Sequence, residues 1–205
     1  MGLYTLVQDK DAWEDFYTYE EEKFYPDHKV LKLVRNIIET EQYKDFTREY
    51  LDNFVIPHLV KISAYNTSKK RIVYVYPEPH RTILKLLGRY LLAKYNNNFC
   101  RNSLAYTQGR SVRSAFRLVD EMKLSLDEPV YKNDFSDYFN SIDLDRLNLE
   151  LMKFFDEEDI ETRQFIMKLL REPKVEWKHK VIEDHRKGVM AGSPIAGILA
   201  NIFMD

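Results

Sequence analysis

Two aspartates three positions apart stand out in the segment YKNDFSDYFNSIDLDRL, which covers residues 131–147. Asp134 lies at the end of a predicted short buried strand, EPVYKNDF (128–135), and Asp137 follows just after it. A buried carboxylate without a partner costs several kcal/mol, so a positive group must offset that cost. A metal ion is one candidate, and Lys132, two residues away, is the other. The segment alone leaves both possibilities open.

The elements that must position these carboxylates mix helical and extended patterns. Residues 10–60 are predicted to be helical, because apolar residues recur every three or four positions, as in DHKVLKLVRNIIETEQYKDF. Alternating residues on either side of NTSKK predict a β-hairpin in KISAYNTSKKRIVYVYP, and a second hairpin is predicted in KVEWKHKVIEDHRKG. Further helices are predicted in HRTILKLLGRYLLAKYNNNF, SVRSAFRLVDEMK, LDRLNLELMKFF and EDIETRQFIMKLL. This mixed order predicts an α+β fold.

A loop and a final helix complete the prediction. The run NNNFCRNSLAYTQGRS is predicted to be a loop, because it is rich in Asn, Ser and Gly. The segment SPIAGILANIFM is predicted to be a helix, with Ser193 as its N-cap and Pro194 in its first turn. No internal repeat or low-complexity linker is present in the sequence.

The charge is unevenly distributed along the chain. The formal net charge is −2, but residues 61–117 contain twelve Lys or Arg and a single acid, Glu78. Residues 1–30 contain eight acids and three bases. This asymmetry permits a local positive field that suits nucleic acid. Ordinary solvated helix faces would explain the same pattern, and charge alone does not decide between the two interpretations.

Several classes of protein are disfavoured by composition. The single cysteine, Cys100, cannot form an internal disulfide, and no leader-like or membrane-spanning pattern is present. We therefore expect a soluble, cytoplasmic protein with no membrane partner. The five histidines have no ligand spacing with Cys100, which argues against zinc. Neither a P-loop nor a Ser-His-Asp arrangement is apparent.

Three segments, taken together and in order, resemble bacterial reverse transcriptases. YKNDFSDYFNSIDLDRL looks like the first carboxylate motif of the polymerase palm, and KGVMAGSPIAGILANIFMD (187–205) looks like the next palm motif. FCRNSLAYTQGRSVRSAF resembles a segment of the fingers. The resemblance implies a right-hand polymerase fold with an N-terminal helical segment (1–60), fingers with a basic hairpin (61–127) and a partial palm (128–205). It also implies an RNA-directed DNA polymerase that uses an RNA template, a DNA primer and dNTPs.

The same resemblance assigns roles around Asp134. Nucleotidyl transfer by two metal ions needs hard oxygen ligands for Mg²⁺, or for Mn²⁺ in its place. Asp134 is expected to be the catalytic metal ligand, together with the backbone carbonyl of Phe135. Asp137 and Tyr138 are expected at the nucleotide, although Asp137 could equally be a turn or helix-cap carboxylate. Phe139 matches the aromatic residue that excludes a 2′-hydroxyl, although it could instead belong to the core.

Further residues are assigned to the nucleotide and to nucleic acid. Arg71 matches the fingers arginine that holds the triphosphate, a task for which its planar guanidinium is suited. Besides Arg71, the residues expected to contact the nucleotide are Lys69, Ala191 and Gly192. Those expected to contact nucleic acid are Lys70, Tyr106, Arg110, Arg113 and Ser193. A merely solubilising hairpin turn remains the alternative for the basic residues near Arg71.

Two departures from the family pattern affect these expectations. Met190 and Ala191 stand where many members have proline and glutamine, which is closer to divergent reverse transcriptases associated with phage defence than to intron maturases. The family palm continues to a hairpin with a tyrosine and paired aspartates, whereas the given sequence ends at Asp205. We therefore expect a catalytically incomplete fragment. The alternative is a non-catalytic RNA-binding scaffold that keeps the polymerase fold.

Overall fold

The computed structural model describes residues 1–63, 70–123, 129 and 131–205 of the chain. These residues form ten α-helices and one four-stranded sheet, so the predicted α+β class is confirmed. Within the same described residues, no helix combines the length and the apolar character needed to cross a membrane.

Helices dominate the first part of the chain, as the periodicity predicts. They are α1 (Leu3–Gln8), α2 (Lys10–Glu21), α3 (Lys29–Glu39) and α4 (Arg48–Asp52). In α3 the spacing of Val30, Val34 and Ile37 places all three side chains in the core. The predicted helical region ends earlier than expected, because a strand already begins at His58.

Both predicted hairpins form. The first consists of β1 (His58–Ser63) and β2 (Lys70–Val75), and the second of β3 (Lys174–Trp177) and β4 (Lys180–Glu183). Each pair is antiparallel. The turn NTSKK, as far as residue 69, lies outside the described residues.

The two hairpins join into a single sheet. His58 of β1 pairs with Glu176 of β3 in a parallel arrangement, which gives the strand order β2-β1-β3-β4. Tyr74, Tyr76 and Val175 are buried, so the part of the sheet nearest them packs against the helices. The sheet therefore connects segments that are more than a hundred residues apart in sequence.

Six more helices occupy the remainder of the described chain. They are α5 (His80–Tyr95), α6 (Val112–Met122), α7 (Tyr138–Ser141), α8 (Leu144–Phe154), α9 (Ile160–Arg171) and α10 (Ala196–Met204). The helices predicted at the positions of α5, α6, α8 and α9 are confirmed. Leu84, Leu87 and Leu91 of α5 are fully buried, and α5 packs against both α2 and α10. This packing makes α5 the central helix beside the candidate site.

The segment EPVYKNDF does not form the predicted strand. Its described residues, 129 and 131–135, have no strand pairing and are exposed. Tyr131 and Phe135 are 85% and 63% exposed, respectively. Such residues favour a strand where a neighbouring strand supplies hydrogen bonds and a face to cover them, and the described residues supply neither. The prediction of a buried strand before Asp134 is therefore wrong.

Helix α10 begins later than predicted. Its first residue is Ala196, and Ile195 occupies the N-cap position without a side-chain cap. Ser193 N donates to Met190 O at 3.1 Å, and Ala196 N donates to Ser193 O at 3.0 Å, so a turn precedes the helix. Ser193 Oγ has no hydrogen-bond partner among the described residues. The predicted N-cap role of Ser193 and first-turn position of Pro194 are therefore wrong.

Candidate functional site

The loop formed by residues 188–193 lies directly against β2. Tyr74 N donates to Ala191 O at 2.8 Å along the edge of the sheet. Gly192 has a φ of +93°, and a Cβ at this position would lie 3.0 Å from Val73 Cβ. Glycine tolerates both the left-handed conformation and this close approach. The sequence of the loop therefore allows it to dock on the hairpin.

The same loop also contacts the segment that follows Asp134. Val189 N donates to Phe139 O at 2.8 Å. A Cβ on Gly188 would lie 2.1 Å from Phe139 O and 2.8 Å from Asn140 C, so no larger residue fits without movement. Three stretches that are far apart in sequence therefore converge: β2, the loop 188–193 and, through Phe139 and Asn140, the segment 134–141.

Tyr138 and Phe139 are half-buried between this loop and α10. Tyr138 donates its hydroxyl to Ala200 O at 2.7 Å, and burial raises the pKa of that hydroxyl. The Phe139 ring lies edge-to-face against Tyr106, with the ring centroids 6.4 Å apart. Phe139 thus packs against neighbours on one side and lines an open cleft on the other. This position is compatible both with a residue that excludes a 2′-hydroxyl and with a core residue.

Asp134 is exposed in the structure, contrary to the sequence-based expectation of burial. The desolvation cost that motivated a positive partner therefore does not arise. Lys132 is also exposed. Phe135 is largely exposed and its ring centroid is 5.7 Å from that of Tyr138. The Asp134 carboxylate is consequently accessible to a ligand from solvent.

Asp137 organises the turn between Asp134 and α7. Its φ of 54° is left-handed, a conformation that aspartate tolerates better than most residues. Asn140 Nδ2 donates to Asp137 Oδ1 at 2.7 Å, and Ser141 N donates to Asp137 O at 3.1 Å. Asp137 therefore acts as a turn carboxylate in the structure, and its contact with the nucleotide stays a prediction. The residue is also exposed, so it remains accessible.

A polar cluster that the sequence analysis missed supports the loop 188–193. Tyr74 donates its hydroxyl to Asp184 Oδ2 at 2.7 Å, and Arg186 reaches the same oxygen at 3.3 Å. Burial, and then the Asp184 carboxylate, raise the pKa of Tyr74. Arg186 also donates to Leu170 O at 3.2 Å. The cluster fixes the chain just before the loop. The sequence did not predict the cluster, because an acid and an arginine two positions apart after a hairpin are too common to indicate one.

Arg71 lies on the face of β2 that the loop approaches. It pairs with Ile62 across the hairpin and shares a sheet face with Val73, two residues away. Val73 is the residue closest to Gly192, and Arg71 is exposed about 7 Å farther along the strand. The structure thus brings Arg71, Ala191 and Gly192 to one side of the hairpin. Lys69, and the side chain of Lys70, lie outside the described residues.

Arg110 and Arg113 have different environments. The guanidinium of Arg110 donates to Ser103 O at 2.7 Å and to Phe99 O at 3.3 Å, and it also contacts the carbonyl of Cys100. These bonds hold the loop before α6 in shape. Arg113, in α6, is exposed. Of the two arginines predicted to contact nucleic acid, Arg113 is therefore the one whose charge faces solvent.

A cleft of about 540 Å³ brings together other predicted residues. Tyr106, Phe139, Gly192 and Ser193 all line it. The Tyr106 ring rests on Gly197, where a Cβ would lie 2.3 Å from the ring. Two residues predicted to contact nucleic acid, Tyr106 and Ser193, therefore share one cavity with two predicted to contact the nucleotide. Helices α2 and α5 form its opposite wall.

The described residues near Asp134 supply two oxygen donors that suit a divalent ion. Mg²⁺ commonly takes one or two carboxylates, with phosphate oxygens and water completing its coordination. The Asp134 carboxylate and the Phe135 carbonyl are oxygens of this kind in an exposed segment. Among the described residues, no group of three or more His, Cys, Asp or Glu side chains is placed to hold a metal ion. The donors therefore suit an ion held jointly with substrate phosphates.

No family model matches the chain, and no curated protein matches it. The candidate site is consequently defined by its residues and their geometry.

Proposed function

We propose that this chain forms the fingers and part of the palm of an RNA-directed DNA polymerase. It binds an RNA template, a DNA primer and a deoxynucleoside triphosphate, and supports nucleotidyl transfer to the primer. The observation that carries the proposal is the convergence of β2, the segment 134–141 and the loop 188–193. Each of these stretches contains residues that the sequence resemblance assigns to the incoming nucleotide.

The triphosphate is bound from the side of the hairpin. Arg71 is exposed on the face of β2 against which Gly192 packs, so its guanidinium can reach a ligand that lies over the loop. A guanidinium binds phosphate oxygens in pairs, which fixes the orientation of the triphosphate as well as its position. Lys69 and Lys70 belong to the same proposal through their sequence positions alone.

Asp134 and the carbonyl of Phe135 hold a divalent ion together with the nucleotide phosphates. When bound, Mg²⁺ or Mn²⁺ supplies charge stabilisation at the phosphate and lowers the pKa of the attacking hydroxyl. Asp134 is suited to this task because its side chain is exposed and thus accessible to the ion. Asp137 shapes the adjacent turn through Asn140, which keeps the segment in a defined conformation.

Phe139 selects deoxynucleotides in this proposal. Its backbone is fixed by the bond from Val189 N, and its ring is supported by Tyr106 and Tyr138. A ring that is held from several sides cannot move aside for a 2′-hydroxyl. The position of Phe139 at the border between the packed side and the cleft is the feature that supports this role.

A non-catalytic RNA-binding scaffold is the second candidate function. The observation that favours it is the small number of carboxylates near Asp134 among the described residues. Two-metal transfer requires more anionic oxygen than one carboxylate and one carbonyl provide. We therefore expect the 205-residue chain alone to bind nucleic acid and nucleotide without extending a primer.

The proposal is tested by substituting Asp134 in the native protein, together with any chain that completes the site. RNA-templated primer extension with Mg²⁺ should be abolished in Asp134→Ala. The free energy of unfolding should change by less than about 0.5 kcal/mol, because Asp134 is an exposed side chain.

Asp15→Ala is the matched control, since Asp15 is an exposed aspartate of α2 outside the candidate site. This variant should extend primers as the unmodified protein does. Primer extension that persists in Asp134→Ala contradicts the metal-ligand assignment. A native protein that binds RNA but never extends a primer supports the scaffold instead.

A further inference from the structure

Four basic residues to which the sequence analysis gave no role line one wall of the cleft. Lys23 lies just beyond the end of α2, and Arg81, Lys85 and Arg89 follow one another at four-residue spacing along α5. This spacing places the three α5 side chains on one face of the helix. The packing of α2 against α5 then adds Lys23 to the same wall.

The positive charge of this wall exceeds what the nearby acid can neutralise. Glu20 is the acidic residue of the lining, and its buried carboxylate lies 2.9 Å from Lys23 Nζ and 3.8 Å from Lys85 Nζ. Burial lowers the pKa of Lys85, the nearby charges of Glu20 and Glu78 oppose that shift, and those of Arg81 and Lys23 add to it. Arg89 is bonded to a neutral partner, Gln108 Oε1, at 2.7 Å. The wall therefore retains a surplus of positive charge that an anion could neutralise.

An unpartnered hydroxyl belongs to a residue of the same lining, in the turn that packs against α5 near Gly88. Ser193 lines the cavity and is only 6% exposed. Its Oγ has no hydrogen-bond partner among the described residues. Buried hydroxyl groups are normally paired, because an unpaired one loses its hydration without compensation. The lining thus contains one buried hydroxyl without a partner among the described residues, as well as several cations.

Aromatic rings complete the lining. Tyr106 and Phe139 come from the side of α10. On the α2 side, the Tyr19 ring lies beneath Lys23 and Arg89, and Phe24 is stacked on His28. Tyr106 is 58% exposed, so much of its ring surface remains free for a ligand. Exposed aromatic rings beside a basic groove are the combination with which proteins bind unpaired bases and their phosphates. A duplex would present its phosphates to such a cleft but would keep its bases stacked.

We propose that this cleft binds single-stranded RNA, with phosphates against the α5 wall and an unpaired base against the aromatic rings. The inference rests on the proposed polymerase function and identifies the site that holds the unpaired template. It gives the N-terminal helical segment a direct role, because Lys23 and Tyr19 belong to that segment. Ser193 contributes a hydrogen bond to the sugar-phosphate backbone.

The test uses a fluorescein-labelled 12-nucleotide oligouridylate and the 205-residue chain. Arg81→Ala should weaken binding by about tenfold, which corresponds to about 1.4 kcal/mol. The slope of log K against log salt should fall by about 0.7, the value for one phosphate contact in a single strand. Lys23→Ala should produce a change in the same direction and thereby test the contribution of the α2 side.

Ser193→Ala distinguishes a hydrogen bond from an ion pair. It should weaken binding by about fivefold and leave the salt slope unchanged, because a neutral contact is removed. Lys180→Ala is the matched control, since Lys180 is an exposed cation on β4 that does not line the cleft. Thermal melting of each variant establishes that it is folded before its binding is compared.

Two results would overturn the proposal. One is an affinity in Arg81→Ala and Lys23→Ala that equals the affinity of Lys180→Ala. The other is a blunt 12-base-pair duplex that competes as well as the single strand. The outcome is separable from that of the polymerase assay, since Asp134→Ala should bind the oligouridylate normally. If the cleft variants lose RNA binding but the native protein does not extend a primer, the RNA site is supported and the proposed polymerase function is rejected.

Discussion

Replacing Gly188 by alanine should disrupt the contact on which the candidate site depends. The added Cβ would lie 2.1 Å from Phe139 O and 2.8 Å from Asn140 O, and both of these atoms are backbone atoms that cannot rotate away. The loop and the segment after Asp134 must therefore separate. The neighbouring hydrogen bond from Val189 N to Phe139 O, now 2.8 Å, is expected to weaken or break.

The magnitude follows from three contributions. Overpacking of a closely packed contact costs about 1–3 kcal/mol, and a lost backbone hydrogen bond costs about 1 kcal/mol. Replacing glycine by alanine also restricts the unfolded chain, which returns about 0.4–1 kcal/mol. The net expectation for Gly188→Ala is a loss of about 1–3.5 kcal/mol in the free energy of unfolding, measured by urea denaturation. Nucleotide binding should weaken in the same variant, because the two walls of the site move apart.

Gly109→Ala is the matched control. Gly109 has a φ of +75°, but a Cβ there would meet nothing within 4 Å among the described atoms. Left-handed strain costs about 1–2 kcal/mol, of which the restricted unfolded chain returns a part, so a loss near 1 kcal/mol is expected. An unfolding free energy of Gly188→Ala within about 0.5 kcal/mol of the unmodified protein would refute the close approach of these segments.

Three further predictions concern selectivity, salt and pH. Phe139→Val should raise the incorporation of ribonucleotides relative to deoxynucleotides in primer extension by the native protein, and unchanged selectivity would identify the ring as core. Charge reversal at Arg113 should flatten the salt dependence of RNA binding. The same change at Arg110 should also lower stability, because Arg110 donates to loop carbonyls. A salt-independent affinity of the unmodified chain would contradict the expected effect of both arginines on RNA binding. Burial lowers the pKa of His80, so the unfolded chain binds the proton more readily and stability should fall as the pH drops below about 6.5. His80→Phe, which can keep the stacking on Tyr50, should reduce that loss, and an identical pH profile in the variant would argue against this origin.

The helices and hairpins could be predicted because their signals are local. The spacing in α3 and the alternation along β2 depend on neighbours within one or two turns or strand pairs. The strand expected before Asp134 failed for the opposite reason, since a strand needs a partner that a single segment does not contain. The pairing of His58 with Glu176 also depends on distant residues and carries no local pattern.

The candidate site could be predicted only in part for the same reason. The roles of Asp134, Phe139 and Gly192 are predictions from short motifs, whereas the cluster formed by Tyr74 and Asp184 joins residues 110 positions apart and has no such motif. The basic wall of the cleft was hidden because it combines α2 with α5. The N-cap assigned to Ser193 was wrong because the following turn delays the start of α10.

The most direct test of the central claim is to locate a divalent ion and a nucleotide on this chain. Fe²⁺ substitutes for Mg²⁺ in the presence of dATP, and hydroxyl radicals generated with peroxide and ascorbate cleave the backbone close to the ion. The proposal predicts nucleotide-dependent cleavage within residues 134–139 and 188–193, which disappears in Asp134→Asn and persists in Asp15→Asn. Cleavage elsewhere, or cleavage at these segments that is independent of both dATP and Asp134, would contradict the assignment of this site to nucleotidyl transfer.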